Sequence, residues 1–417
     1  MRIRDSSDLR TLLDGVFSSG FKKNSDIPNF DIDYQTALNK TFQSEFYTRS
    51  QILSEEILST NDICYQIIPS VSAVNNYIGR CWSRIHNKAI LITDDESFDF
   101  ASEIFSDFIN KKPIKLVNIS KEFSHKNIEN IIETSKANSN VKFIVALGGG
   151  RVMDIQKFIG YKTDISMIAF PTSLASHVYA SPKIHALPAI KKFGYDLTID
   201  GNPPHLAIID LYLLQKLFKS NPRLIYAGLG DISAFFTAKS DWILSNQKYE
   251  NNRNYFVEAL IDEVIQWLDT FPIDNDFLDW SNQYHLCQVL LCNITDWEGS
   301  PPASGSEHLF ALSIEKYAKD EVPLHGELVA LGVIIMSLIQ GNDYKFISRI
   351  IKRMKLPMNL SEIGVDKSMI ISALNDSLEK GLKKDRYTIL NEINQIKMET
   401  IFENTLNQLV SEKILTY

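Results

Sequence analysis

The sequence predicts an α/β protein in which an N-terminal domain with a Rossmann-like parallel sheet precedes an all-helical domain. Short apolar runs alternate with amphipathic stretches of about 10 to 15 residues, as in β-α-β units. A glycine triplet follows one of these runs, and beyond Leu211 the pattern is helical almost to the end. With 417 residues, the chain exceeds what one hydrophobic core usually holds, so two main domains are expected.

Changes in composition along the chain predict the domain boundaries. Residues 1–60 are polar and carry no recognisable chemistry, so they are expected to form an N-terminal extension. Residues 61–210 are expected to form the sheet domain and residues 211–417 the helical domain. Prolines after Pro182 predict a hairpin excursion before the last strand. The predicted strands are 63–68, 88–93, 114–119, 141–147, 166–170 and 206–210, and the longest predicted helices are 255–269, 305–319, 325–340 and 366–380.

Composition excludes several classes of protein. A hydrophobic content of 44% supports a sizeable core, and a formal net charge of -8 argues against nucleic acid as the main partner. No apolar run is long enough for membrane insertion, and the first residues do not resemble a signal peptide. The 4 cysteines form no C-x-x-C pair, which fits a reducing compartment. The protein is therefore expected in the cytoplasm.

Glycines at the end of a predicted strand indicate an anion-binding turn. Gly148, Gly149 and Gly150 follow the apolar run 143–147 and lead into a helical pattern. Without Cβ atoms, the turn admits an anion close to the backbone, and the amides at the helix start point at it. A nucleotide cofactor is the natural ligand, although a plain strand-to-helix turn would have the same sequence.

Two other predicted strands end in polar residues that belong at the same sheet edge. Asp94 and Asp95 follow one strand, and Thr172 and Ser173 follow another. Ligands of open parallel sheets bind at the carboxyl ends of the strands, so these loops should meet in one crevice. An acid such as Asp94 can bind ribose hydroxyls and would favour NAD over NADP. Acids that merely solvate a loop explain the pattern equally well, so NAD and NADP both remain possible.

The helical half of the chain contains residues suited to a metal ion. Asp231, His308 and His325 offer a carboxylate and two imidazoles, a set that suits Zn or another divalent transition metal. Three protein ligands would leave a coordination position for substrate oxygen. Their wide spacing is not that of a local metal motif, and on spacing alone buried histidines with ordinary hydrogen bonds are an alternative.

Five segments, taken in order, resemble the dehydroquinate synthase-like and iron-containing alcohol dehydrogenase superfamily, and within it the sn-glycerol-1-phosphate dehydrogenases. The likeness covers roughly residues 60 to 340 and implies the two-domain fold. The segments are GGGRVMDIQKFIGYK from Gly148, FPTSLASHVYASP from Phe170, YAGLGDISAFFTAKSDW from Tyr226, PPASGSEHLF from Pro301 and PLHGELVALG from Pro323.

The resemblance assigns roles to particular residues. It implies that the metal is held by Asp231, His308 and His325, with zinc as the first expectation and iron or nickel as alternatives. It implies that NAD or NADP is bound by Gly148, Gly149, Gly150 and Asp154 at its phosphates and by Thr172, Ser173 and Ser181 towards the nicotinamide. The implied reaction interconverts a small, phosphorylated polyol and its ketone, with dihydroxyacetone phosphate and sn-glycerol 1-phosphate as the first pair to test.

Two positions depart from the family pattern where the substrate would bind. His177 replaces an aspartate, and its imidazole is a candidate catalytic acid or base. A rearranged loop that turns His177 elsewhere is the alternative. Pro301 replaces an arginine, which removes a cation that could meet a phosphate. Lys183 and Lys239 are possible replacements.

Residues beside the predicted ligands have two interpretations each. Ser304 and Ser306 could cap the helix that carries His308 or bind substrate. Glu327 could be a hydrogen-bond partner of the metal site or lie on a solvated helix face.

Two other functions remain open. One is an NAD- and metal-dependent cyclase like dehydroquinate synthase, although its Glu and Lys pattern is absent around Asp231. The other is a non-catalytic relative, against which the complete ligand set argues. A small-molecule substrate and a homodimer or higher homo-oligomer are expected.

Overall fold

The computed structural model describes residues 66–70, 89–94, Ser97, 115–118 and, with gaps, 124–417. The predicted extension, residues 1–60, lies outside the described residues. The described residues form two compact units. The sheet unit runs to Asn221 and includes Phe277 and Trp280, and the helical unit comprises Pro222–Asp276 and the described residues from 284 to Tyr417.

A parallel sheet forms the centre of the sheet unit, as predicted. Its strands pair in the order β1-β8-β5-β4-β2-β3, every pair parallel. The two remaining described strands, β6 and β7, form the expected antiparallel hairpin. The bounds are β1 Gln66–Ser70, β2 Ala89–Thr93, β3 Lys115–Asn118, β4 Phe143–Gly148, β5 Ser166–Pro171, β6 Lys183–His185, β7 Thr198–Asp200 and β8 Leu206–Asp210.

The central strands are apolar without interruption because both faces of the sheet are covered. Every residue of β2 and β4 is buried. A parallel sheet with helices on both faces produces such runs, whereas a half-exposed strand would alternate polar and apolar residues. The apolar run 143–147 therefore places the glycine triplet at the carboxyl end of a buried central strand.

Helices connect the strands of this unit. Ser124 caps the first of them by accepting a hydrogen bond from the Asn127 amide at 3.2 Å. Beyond β8, Phe218 stacks on Phe277 and meets Trp280 edge-on, so the first helix after Leu211 packs with the sheet unit. The helices are α1 His125–Ala137, α2 Gly150–Thr163, α3 Pro188–Lys191 and α4 Leu211–Ser220.

The helical unit is built around one helix that is buried along most of its length. Its residues 326–337 are all buried, which explains why this segment is apolar on every side rather than amphipathic. The helix has the predicted bounds, and Gly341 ends it in the left-handed conformation. The helices are α5 Pro222–Ile232, α6 Phe235–Lys248, α7 Tyr255–Thr270, α8 Ser306–Ile314, α9 His325–Gln340, α10 Tyr344–Arg353, α11 Leu360–Ile363, α12 Lys367–Lys383, α13 Ile389–Glu392 and α14 Met398–Ser411.

Helix α8 is shorter than predicted. The sequence pattern extends to residue 319, whereas the helix ends at Ile314 and Glu315 is its C-cap. A short 3-10 helix, Pro301–Ala303, precedes it. Among the helices of the described residues, none combines the length and apolar character required to cross a membrane.

Candidate active site

The carboxyl ends of three strands form the first candidate region. Strand β2 pairs with β3 on one side and with β4 on the other, so the chain reverses its direction of winding at β2. In the register, Thr93 lies opposite Leu147, and Gly148 lies opposite Pro171. The loops that follow these strands therefore begin side by side at a topological switch point, where sheets of this type bind ligands.

The glycine turn has the geometry of an anion cradle. Gly149 is the N-cap of α2, and no atom lies within 4 Å of where its Cβ would be. A Cβ on Gly148 would lie 2.4 Å from the Val152 side chain, so the close packing of the turn on α2 requires glycine. The space above Gly149 and the amides at the start of α2 fit a dinucleotide phosphate.

A hydroxyl that sequence reasoning missed joins two predicted cofactor residues. Asp94 accepts a hydrogen bond from the Ser97 amide at 2.6 Å, and the Ser97 hydroxyl lies 3.2 Å from that of Thr172. Ser97 and Thr172 are both buried, and Ser173 is half-buried. The predicted meeting of Asp94 and Thr172 thus occurs through Ser97, while Asp95 lies outside the described residues.

Asp154 makes contacts that differ from its predicted role at the cofactor phosphates. Its Oδ1 accepts a hydrogen bond from the His185 amide at 3.1 Å and forms an ion pair with Lys157 at 3.3 Å. The fully buried Lys157 donates to the carbonyls of Ser181 and Lys183. Asp154 and Lys157 therefore fasten the β6–β7 hairpin to α2, and they fix the backbone at Ser181 from a distance.

The predicted metal ligands come together in the helical unit. Asp231 on α5, His308 on α8 and His325 on α9 each present a ligand atom, and these atoms lie within 4.8 Å of one another. Asp231 Oδ1 lies 3.2 Å from His308 Nε2 and 3.8 Å from His325 Nε2. Asp231 and His308 are buried, and His325 is partly exposed. A divalent ion fits this donor set, which combines one carboxylate with two imidazoles.

Glycines bring two of the three ligands close to each other. Gly230 precedes Asp231 on α5, and Gly326 follows His325 on α9. A Cβ on Gly230 would lie 2.1 Å from the Gly326 carbonyl oxygen. The two helices touch through their backbones at this point, and any larger residue would separate the ligands.

Each imidazole is oriented by a carboxylate on its far side. His308 Nδ1 lies 2.9 Å from Glu307, and His325 Nδ1 lies 3.0 Å from Glu315. Glu307 is itself held by the Gly305 amide at 2.6 Å and by the Thr237 hydroxyl at 2.8 Å. A carboxylate behind each ring places the Nδ1 proton and leaves the Nε2 lone pair for a metal, as in carboxylate–histidine–metal sites.

The charges of this cluster alter the titration of its groups in the metal-free protein. Burial by itself lowers the pKa of His308, but hydrogen bonds to Asp231 and Glu307 outweigh it and raise the pKa to about 9. For Glu307 the directions are opposite. Burial raises the pKa of its carboxyl group, but hydrogen bonds from His308, Gly305 and Thr237 outweigh burial and lower the pKa. The metal-free site therefore holds a proton that a metal ion would replace.

Comparison with known proteins agrees with this geometry. The model of the iron-containing alcohol dehydrogenase family matches residues 70–216. A glycerol-1-phosphate dehydrogenase (NAD(P)+) of Sulfolobus acidocaldarius is 34% identical over 298 residues, which cover 69% of this chain and 81% of the relative. The chain belongs to the iron-containing alcohol dehydrogenase family.

Other members of the family extend the likeness. A glycerol-1-phosphate dehydrogenase (NAD(P)+) of Thermococcus sibiricus is 31% identical over 277 residues, covering 65% of this chain and 75% of the relative. The crystal structure of glycerol dehydrogenase from Schizosaccharomyces pombe superposes with a TM-score of 0.63 at 14% identity, covering 83% of this chain and 91% of that one. At that identity the superposition establishes the two-domain iron-containing alcohol dehydrogenase fold alone.

Glu327 is a buried partner of Arg223. It is buried, and its carboxylate forms two hydrogen bonds with Arg223, at 2.5 and 2.8 Å. The solvated face is therefore wrong for Glu327, and Arg223 engages both oxygens of its carboxylate. Glu315, before α9, contacts His325 instead.

The serines before His308 are held by residues distant in sequence. Gly305 is the N-cap of α8 and has no side chain, so neither serine caps the helix in the expected way. The Ser306 amide and hydroxyl both donate to Asp241, at 2.7 and 2.6 Å. The Ser304 hydroxyl and carbonyl accept hydrogen bonds from Arg386. Asp241 and Arg386 were missed because their contacts join segments far apart in the chain.

The lysines suggested as replacements for the missing arginine are neutralised. Lys183 forms an ion pair with Asp200. Lys239 pairs with Asp262 at 2.6 Å and with Glu258 at 3.4 Å. His177 is partly exposed in the turn after β5, and its catalytic role remains a prediction.

Proposed function

We propose that the protein is a metal-dependent NAD(P) oxidoreductase that interconverts a small phosphorylated polyol and its ketone, first dihydroxyacetone phosphate and sn-glycerol 1-phosphate. The observation that carries this proposal is the convergence of Asp231, His308 and His325. It is supported by the relatives of up to 34% identity that are named glycerol-1-phosphate dehydrogenase.

The residues of the site prepare it for a carbonyl or alcohol oxygen. Glu307 and Glu315 hold the Nδ1 protons, so His308 and His325 present Nε2 to a common point beside Asp231. Burial of Asp231 and His308 keeps competing water away from that point. A divalent metal bound there would supply Lewis-acid stabilisation of negative charge on the substrate oxygen. Only three protein ligands are needed, which leaves room for that oxygen.

We propose NAD or NADP as the hydride carrier and zinc as the metal. The glycine turn, with Gly149 open above α2, supports the dinucleotide. NAD or NADP would supply the hydride acceptor or donor. Two imidazoles and a carboxylate suit redox-silent zinc, while iron and nickel would accept the same ligands. His177 is proposed as an acid or base acting on a substrate hydroxyl.

We also propose a cytoplasmic location and a homodimer or higher homo-oligomer. The absence of C-x-x-C pairs among 4 cysteines supports a reducing compartment. Buried Cys287 fits a structural thiol rather than a reactive one, because burial raises its pKa well above the usual value.

A direct assay of cofactor oxidation tests the proposed function. The protein is loaded with zinc, iron or nickel in separate samples, and NADH and NADPH oxidation is followed with dihydroxyacetone phosphate. The reverse reaction is run with sn-glycerol 1-phosphate and, for stereochemistry, with sn-glycerol 3-phosphate. Metal-dependent oxidation of NADH or NADPH that yields sn-glycerol 1-phosphate rather than sn-glycerol 3-phosphate supports the proposal.

A His308→Ala variant is the matched control. It removes one ligand of the helical unit and leaves the glycine turn of the sheet unit intact. Turnover should disappear, while dinucleotide binding measured by fluorescence should persist. Full turnover in this variant, or no turnover in metal-loaded wild-type protein with any of these substrates, contradicts the proposal.

A further inference from the structure

Arg386 lies against the segment that leads into the metal-binding helix α8. Its Nη1 donates to the Ser304 carbonyl at 2.6 Å and to the Ser304 hydroxyl at 2.7 Å, and its Nη2 donates to the Ser300 hydroxyl at 2.5 Å. Ser300 and Ser304 flank the 3-10 helix Pro301–Ala303. The guanidinium therefore lies beside residues 300–304, and Ser304 is four residues before His308 in the chain.

The charge of Arg386 has no direct counterion among the described residues. No carboxylate of the described residues lies within ion-pair distance of it, and all its hydrogen-bond acceptors there are neutral oxygens. Burial lowers its pKa, whereas the charges of Glu307 and Asp241 act in the opposite sense. Arg386 is partly exposed, and a guanidinium without a paired carboxylate favours an anionic ligand.

The two carboxylates whose charges act on Arg386 are hydrogen-bonded to other donors. Asp241 accepts from the Ser306 amide and hydroxyl and from the Ile389 amide at 2.7 Å. Glu307 accepts from His308, the Gly305 amide and Thr237. The negative charges of Asp241 and Glu307 favour a cation in this region, but neither carboxylate accepts a hydrogen bond from Arg386.

Donors remain on one edge of the guanidinium. Nη1 uses both its N–H groups on Ser304, but Nη2 uses one, and Nε has no acceptor among the described residues. Nε and Nη2 form the fork that binds two oxygens of a carboxylate or phosphate. Arg223 uses this same fork on Glu327, which shows the geometry within the same unit.

We propose that Arg386 binds the phosphate group of the substrate through its Nε and Nη2 edge. This inference rests on the proposed function, because it assigns the phosphorylated end of that substrate. The other cations considered are paired: Lys239 with Asp262 and Glu258, and Lys183 with Asp200. Arg386, which follows α12 in the chain, thus supplies the positive charge that is missing at Pro301.

Kinetics with a matched substrate pair test the assignment. Arg386→Gln and Arg386→Lys are compared with wild type on dihydroxyacetone phosphate and on unphosphorylated dihydroxyacetone. Loss of charged hydrogen bonds should lower kcat/KM for the phosphorylated ketone roughly 10- to 100-fold in Arg386→Gln. The value for dihydroxyacetone should change little, and Arg386→Lys should lie between. Arg349→Gln, on the exposed face of α10, is the charge-matched control and should behave as wild type.

Direct binding separates this inference from the proposed reaction. Inorganic phosphate is titrated into the zinc-loaded proteins by calorimetry. Wild type should bind it more tightly than Arg386→Gln, even if no substrate is turned over. An equal fall in kcat/KM for both ketones, or equal phosphate affinity in wild type and both variants, overturns the assignment and leaves Arg386 as a clamp on residues 300–304. If Arg386→Gln does not fold, the Arg386→Lys comparison decides.

Discussion

Gly326 lies directly against the backbone of Ala227. A Cβ on Gly326 would stand 1.7 Å from the Ala227 carbonyl oxygen and 2.6 Å from its carbonyl carbon. No rotation of a side chain can relieve this overlap because both partners are main-chain atoms. The contact sets the separation of α5 and α9, and with it the distance between Asp231 and His325.

Gly326→Ala should therefore destroy the ligand arrangement. Separating the two backbones should lower the free energy of unfolding by at least about 2 kcal/mol, since overpacking a rigid contact is costly. Zinc affinity should fall with it. Both are measured, by urea unfolding and by chelator competition. Gly149→Ala is the control: its Cβ meets nothing within 4 Å, so the variant should keep its stability and zinc affinity while dinucleotide affinity falls.

Removing the carboxylate behind His308 should weaken metal binding without removing a ligand. Glu307→Gln retains the shape of the side chain but loses the charge that orients Nδ1 of His308. Substitution of such partners typically costs roughly 10- to 100-fold in metal affinity. Chelator competition measures the change, and the exposed Glu399→Gln on α14 provides a control. Unchanged affinity in Glu307→Gln would show that the carboxylate is dispensable.

Metal uptake should release protons and strengthen with pH. The pKa of His308 is raised to about 9 in the metal-free protein, from the ordinary histidine value of 6.5, by its hydrogen bonds to Asp231 and Glu307. A raised histidine pKa stabilises the metal-free fold fully below pH 6.5, and this stabilisation is lost as the pH rises through 9. A metal must displace that proton, so its affinity should rise by about tenfold per pH unit between these values. Calorimetry in buffers of different ionisation enthalpy counts the proton. A heat independent of the buffer would contradict the prediction.

The Arg223 and Glu327 pair should contribute strongly to stability. The Glu327 side chain is fully buried, so Arg223→Ala leaves a buried carboxylate without its partner. Breaking buried pairs costs roughly 3 to 5 kcal/mol, and the 45% exposure of Arg223 places the loss at the lower end of that range. Thermal and urea unfolding measure it against Arg349→Ala. A loss equal in both variants would mean that the pair adds nothing.

Local patterns were sufficient for most of the fold. The bounds of α9 and β8 were predicted residue for residue, β8 because it is a short apolar run between turn residues. For α9 the bounds were correct although the segment was predicted to be amphipathic and is apolar on every side. The end of α8 was not, since the amphipathic pattern continues past the point where Glu315 turns towards His325. Tertiary contact overrode the local periodicity there.

The sequence predicted which three residues converge as candidate ligands, but not the residues that hold them in place. The amino-acid sequences of the motifs around Asp231, His308 and His325 were specific to the family, whereas the spacing of these residues alone did not indicate a metal site. Glu307 stands beside His308 in the sequence, yet nothing local distinguishes it from Glu327, which follows His325. Arg386 was missed because its contacts with Ser300 and Ser304 join distant segments.

All three candidate metal ligands belong to one compact unit, and the glycine turn belongs to the other. A ligand that binds only the folded form stabilises the unit that holds it. Zinc and dinucleotide should therefore act on different parts of a melting profile, zinc delaying the helical unit and dinucleotide the sheet unit. Differential scanning calorimetry with each ligand alone would resolve the two, and a protein starved of metal would lose stability in its helical half alone.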